Sequence, residues 1–226
     1  MIFLKKYAFL FLTFLIIIIL VPTTVIAINL SLSQTLIYLD PGHGGFDGGA
    51  VGDGAIYEKH IVLSITLKLK LYLEKTGYKV LLTRSTDTSL PGEGKSSKQA
   101  DIYKRVELIN KSNAYMFVSI HANSFPSSIV SGAQTFYNPN ILGNEELAIE
   151  IQTMIKNFHP NNHRLAKKIK GKYLIDEVFV LGCLVEVGFL SNPSELILLQ
   201  KESYQAEMAL AIYLGIISYI EKHGEI

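Results

Sequence analysis

Three short apolar runs in this chain end on residues that bind metals or move protons, and this coincidence limits the fold more than any other feature. Leu36–Leu39 runs into Asp40-Pro41-Gly42-His43-Gly44-Gly45. Ser119-Ile120-His121-Ala122-Asn123 closes the second run, and Leu184-Val185-Glu186-Val187-Gly188-Phe189 carries the third. Continuous apolar runs of this length read as strands buried on both faces. Helical patterns lie between them. Ile61, Ile65, Leu69 and Tyr72 recur at helical steps across Glu58–Lys75. Ile102, Val106 and Ile109 do so across Ala100–Lys111, and Leu147, Ile151 and Ile155 across Glu145–Asn157. Strands alternating with helices predict an α/β fold: a single domain whose twisted, largely parallel sheet carries helices on both faces. Sites in such sheets lie beyond the carboxyl ends of the strands, where His43, His121 and Glu186 all fall.

The remaining elements follow from punctuation. Tyr78–Leu82, Tyr115–His121, Gly132–Tyr137 and Cys183–Val187 read as strands. Gly77 suits the cap of the first helix. Ser89–Ser97, with Pro91, Gly92 and Gly94, reads as a surface loop, and His159–Asn162 as a turn around Pro160. Asn192-Pro193-Ser194-Glu195 has the form of a capping box opening a short helix. Tyr204–Glu221 reads as a final amphipathic helix.

The first residues belong to export rather than to the fold. Lys5 and Lys6 precede an apolar run from Tyr7 to Val21, and Val25-Ile26-Ala27 offers small residues before a cut after Ala27. Residues 1–27 therefore read as a signal peptide or, uncleaved, as an N-terminal membrane anchor, the only expected contact with a membrane. Residues 28–226 form the catalytic domain. Either way the domain is extracytoplasmic. The whole chain carries a formal charge of +1, two of whose lysines leave with the signal, so no general attraction to nucleic acid is expected. Cys183 is the single cysteine, which excludes an intramolecular disulfide and fits an exported bacterial enzyme with a large core.

Zinc in hydrolases takes three protein ligands and leaves a position for water, and two His with one Glu is an established set. His43, Glu58 and His121 supply that set, for one zinc per chain. A carboxylate that is not a ligand must carry the proton from water to the leaving nitrogen. Glu186 is the candidate. The strand period puts Phe117, Ser119 and His121 on one face, opposite Val118 and Ile120. Cys183 points away from Glu186 and reads as core. His60 lies about 200° around the helix from Glu58 and cannot share its metal. His159, His163 and His223 read as solvated. The glycines around His43 lack the following Lys that a phosphate-binding loop needs.

At these residues the chain closely resembles the zinc-dependent N-acetylmuramoyl-L-alanine amidases of the type 3 family, from Ile37 to about Tyr219. DPGHGG with Asp47, Gly48 and Ala50 is similar to the first family motif, and Tyr57-Glu58-Lys59 to the second. VSIHAN is similar to the third and LVEVGFLSN to the fourth. The resemblance implies His43, Glu58 and His121 as zinc ligands and Glu186 as catalytic glutamate. It implies hydrolysis of the amide between the lactyl group of N-acetylmuramic acid and L-alanine in peptidoglycan. Arg84 and Arg105 match positions where the family often has arginine. They are expected to contact substrate carboxylates or, as the bland alternative, to hold the loop by ion pairs. Asn123 is expected near substrate, orienting the loop after His121. His60 departs from the family's usual Asp. The stretch after His121 is too short for the blocking helix of some relatives.

SGAQTFYN and HRLAKKIK are similar to the spore-cortex, germination-specific subgroup, which implies a role in sporulation through muramic-δ-lactam formation, at the cell wall or around the forespore. A domain without a targeting module also implies a recruiting or activating protein partner. The rival readings are another exported zinc peptidase or deacetylase of the wall, or a catalytically silent wall-binding scaffold.

Overall fold

The computed structural model describes residues 35–90 and 97–224. Residues 1–27, expected to serve export, and the middle of the Ser89–Ser97 loop lie outside the described residues. Among the described residues no helix is long and apolar enough to cross a membrane.

In chain order the elements are β1 (Leu36–Pro41), β2 (Val51–Gly52), β3 (Ile56–Tyr57), α1 (Glu58–Lys75), β4 (Lys79–Leu82), α2 (Lys98–Asn110) and β5 (Met116–Asn123). They continue with β6 (Gln134–Tyr137), α3 (Asn144–Phe158), β7 (Lys167–Lys168), α4 (Tyr173–Glu177), β8 (Gly182–Phe189), α5 (Pro193–Leu199) and α6 (Glu202–His223). β2 and β3 form a separate antiparallel pair.

The main sheet has six strands in the order β4-β1-β5-β8-β6-β7. β4, β1, β5 and β8 run parallel. β6 lies antiparallel to β8, and β7 parallel to β6. The result is a single α/β domain with a mostly parallel sheet, as expected.

The sheet is covered on both faces, as its continuous apolar strands require. Ile37, Leu39, Val118, Ile120, Cys183 and Val185 face the larger core with α1, α3 and α6. Tyr38, Phe117 and Leu184 face the smaller one with α2 and α4. Strand alternation continues the second face into Asp40, Ser119, His121 and Glu186. The chemistry thus lies at the carboxyl end of the face on which α2 and α4 pack.

Two local expectations need correction. Asn192 caps α5 by accepting from Ser194 N and Glu195 N, each at 3.1 Å. Glu195 does not reach back to close the box. Its carboxylate accepts from Gly132 N at 2.8 Å and Phe189 N at 2.7 Å, clamping the entry of β6 to the exit of β8. His159 is not solvated: its Nε2 is buried without a hydrogen-bond partner and its ring lies 4.8 Å from that of Tyr204. Burial pushes its pKa down. His163 and His223 are exposed.

Candidate metal centre and active site

Glu58 opens α1 and is the hub of the site. Its Oε2 lies 3.1 Å from His43 Nε2 and its Oε1 lies 2.9 Å from His121 Nδ1. The ligand atoms of His43, Glu58 and His121 all fall within 4.8 Å of one another, and the three residues can hold a metal ion. Separations near 3 Å suit donors sharing one ion through bonds of about 2 Å. Backbone amides steady the hub. Ala50 N donates to Oε2 at 2.8 Å and Ala122 N to Oε1 at 3.0 Å. Burial would raise the Glu58 pKa, but its contacts with His121 and His43 outweigh this and drive it well below the usual carboxylate range.

His43 sits on a turn at φ 60°, a conformation that costs a non-glycine residue free energy. The surroundings enforce it. Asp47 takes His43 Nδ1 at 2.7 Å, leaving Nε2 toward Glu58. Burial lowers the His43 pKa, yet the two carboxylates win and it is raised overall. Asp47 had no separate role in the sequence pattern, although a carboxylate behind a metal-binding histidine is a recurring device.

Glycine makes room for the cluster. A Cβ on Gly42 would lie 2.2 Å from His121 Cε1, and one on Gly49 2.5 Å from Glu58 Oε2.

Beneath the loop lies a buried ionic lattice. Asp40 accepts from Thr83 Oγ1 at 2.6 Å, Ser119 Oγ at 2.7 Å and Arg105 Nη1 at 2.6 Å. Burial alone would raise its pKa; Arg105 and the two hydroxyls hold it down to about 2. Arg105 is 2% exposed, pairs also with Asp101, and donates to the carbonyls of Pro41 and His43. Arg84, 4% exposed, donates to the carbonyls of Pro41, Gly42 and Lys59. Both guanidiniums therefore grip the backbone of the His43 turn from below. Asn123 accepts from Ser124 N at 2.8 Å through its side chain, shaping the loop after β5.

Glu186 pairs with His121 in the parallel β5–β8 register. Its Oε2 is buried and has no hydrogen-bond partner among the described residues. Burial is the main influence on its pKa, pushed up to about 7, with His121 opposing. A carboxyl balanced between its two forms at neutral pH can both take and return a proton. A cavity of about 70 Å³ opens between His43, Asp47, Lys98 and His121. A larger cleft of about 490 Å³, lined by His159, Glu195 and Tyr204, contains none of the clustered residues.

Fold and cluster together define a hydrolase of the amidase class. The chain belongs to the N-acetylmuramoyl-L-alanine amidase family, which matches residues 37–218. It is similar to the germination-specific N-acetylmuramoyl-L-alanine amidase of Bacillus subtilis (strain 168), with 46% identity over 201 residues, covering 87% of this chain and 84% of that protein. It is also similar to the CwlD amidase of Clostridioides difficile, solved in complex with the GerS lipoprotein. That match has a TM-score of 0.80 and 42% identity, covering 84% of this chain and 100% of the other. The catalytic domain of the amidase CwlV from Bacillus (Paenibacillus) polymyxa var. colistinus matches with a TM-score of 0.73 and 32% identity, covering 83% of this chain and 99% of the other.

Proposed function

We propose that this peptidoglycan amidase is an exported zinc enzyme of spore-cortex maturation, cleaving between the lactyl group of N-acetylmuramic acid and L-alanine. Removing the peptide would ready muramic acid for δ-lactam formation. The observation that carries the reading is the convergence of His43, Glu58 and His121 beside Glu186, whose buried oxygen has no hydrogen-bond partner among the described residues. The 46% identity to the germination-specific enzyme of Bacillus subtilis supports the cortex role. Residues 1–27 support export, with cleavage or anchoring equally compatible. The structure of CwlD in complex with the GerS lipoprotein supports a lipoprotein partner for this chain as well.

In this reading His43, Glu58 and His121 would hold the zinc, with Asp47 fixing the His43 tautomer. When bound, zinc would supply Lewis acidity for the lactyl carbonyl and for the attacking water. The Glu186 carboxylate accepts the proton of the attacking water and returns it to the departing alanine nitrogen. Its burial matches its proton affinity to neutral pH. Arg84 and Arg105 act as positioning residues: their donors are directed at loop carbonyls and at Asp40 and Asp101 rather than outward. Asn123 shapes the rim next to His121.

The test is mass spectrometry of peptidoglycan digested by the full chain with added zinc, beside Glu186→Gln. Peptides carrying new L-alanine amines, absent with the variant, are expected. Peptides cut further along the stem would replace the amidase reading with a peptidase one.

A further inference from the structure

Arg164 is an arginine held in place without an ion pair among the described residues. It lies on the segment leading from α3 to β7. Its Nε donates to Ser131 O at 2.7 Å and its Nη1 to Gln134 Oε1 at 2.8 Å. Its guanidinium carbon lies 4.8 Å over the ring of Phe189. Among the described residues it forms no ion pair, and Nη2 has no hydrogen-bond partner. Glu195 is within electrostatic reach, but both its oxygens already accept backbone N–H groups. A guanidinium is a planar fork of donors that matches a carboxylate bidentately; this one presents a fixed charge with an unused edge.

Its position relates that charge to the reaction. Gln134 stands opposite Glu186 in the antiparallel β6–β8 pairing, so both side chains leave the same face of the sheet. Gln134 is itself immobilised, accepting from Arg164 and donating to Leu165 O at 2.9 Å. Phe189, the stacking partner, ends the strand that carries Glu186. Arg164 is therefore one side chain away from Glu186, on the flank opposite His121. With the metal cluster on the β5 side, the β6 side is left for a flanking part of the substrate.

Given the amidase reading on which this rests, we infer that Arg164 is a specificity-determining residue, binding the first free carboxylate on the peptide side of the scissile amide. The stacked guanidinium offers a preorganised donor to that anion, and Gln134 keeps it in register with Glu186. Lys172, which influences Glu186 electrostatically from the N-cap of α4, is an exposed cation and serves as the control.

The test is titration calorimetry on the zinc-loaded full chain carrying Glu186→Gln, which holds substrate uncut. Two ligands are compared: lactyl-L-alanyl-D-isoglutamate and the same peptide with its α-carboxylate converted to a carboxamide. The acid is expected to bind about tenfold tighter than the amide. Adding Arg164→Gln should erase that preference while leaving amide binding unchanged. Arg164→Lys should restore only part of it, and Lys172→Gln should leave it intact. Equal binding of acid and amide, absence of binding by both, an Arg164→Gln preference like the parent's, or equal loss on both ligands would each overturn the assignment. Wild-type turnover on the two peptides separates this from the amidase reading. Hydrolysis without discrimination defeats the Arg164 role alone, whereas discrimination in binding without hydrolysis defeats the amidase.

Discussion

Glu186 and His121 are cross-strand partners, residue for residue, in the β5–β8 pairing. The buried acid and a histidine of the metal cluster are thus held on adjacent strands, with no loop between them to move. Glu186→Gln should leave bound zinc unchanged and lower kcat by roughly 10²–10⁴-fold, the usual weight of a positioned proton carrier. Metal analysis alongside turnover checks this; near-normal turnover would remove Glu186 from the proton path.

The same substitution should stabilise the metal-free protein at alkaline pH and leave its stability unchanged in acid. The folded Glu186 pKa, about 7, lies above its ordinary 4.5. Ionisation in the folded state is therefore unfavourable, and stability falls as pH rises from 4.5 to 7. Above that window the penalty is at most about 3 kcal/mol. Urea unfolding of zinc-free wild type and Glu186→Gln should agree at pH 4 and diverge by pH 8.

Asp47→Asn should weaken zinc binding by roughly 10–100-fold, because it loosens His43 without removing a ligand. Chelator competition reads this directly, and activity should return in excess zinc. Unchanged zinc affinity would show that the 2.7 Å contact does not tune the site.

Gly42→Ala should displace the His121 ring, since the added carbon would lie 2.2 Å from it. Zinc binding and turnover should fall together by about tenfold or more, while circular dichroism stays native. A fully active Gly42→Ala protein would contradict the packing around His121.

Arg105→Met should cost about 3–5 kcal/mol, because it strands a buried Asp40 carboxylate. Asp40→Asn in the same chain should recover part of that loss. The sign with pH is opposite to that of Glu186. Asp40 titrates at about 2 when folded against an ordinary 3.8, so its contribution is present above 3.8 and lost as pH falls toward 2. Acid unfolding of the two variants beside wild type measures it.

Much of this architecture is legible in the sequence because strong local signals carry it. Glu58–Lys75 has the same ends in the sequence pattern and in the structure, since its apolar stripe and Gly77 mark them. β1, β5 and β8 announce themselves as uninterrupted apolar runs, and their ends gather His43, His121 and Glu186. The β2–β3 pair and β7, with two residues in each strand, are too short for periodicity to register. α4 is likewise only a turn and a half. Long-range partners are illegible for a different reason. Glu195 matches a local capping signal, yet its carboxylate serves Gly132, distant in sequence. Arg84 and Arg105 read equally well as ligand contacts or internal braces until burial is known. Arg164 is followed by Lys167, Lys168 and Lys170, and nothing local in the sequence points to Phe189 beneath it.

β8 is the border between two kinds of neighbour. One flank is the parallel strand bearing His121; the other is the antiparallel strand bearing Gln134. Under the assignments proposed above, metal capture and recognition of the wall fragment come from opposite sides of Glu186 and share little beyond it. Inherited changes along β6 and the Arg164 segment could then redirect which peptidoglycan is cut without disturbing zinc loading. Such a layout lets one ancestral hydrolase diversify toward new wall chemistries by editing a single flank of β8.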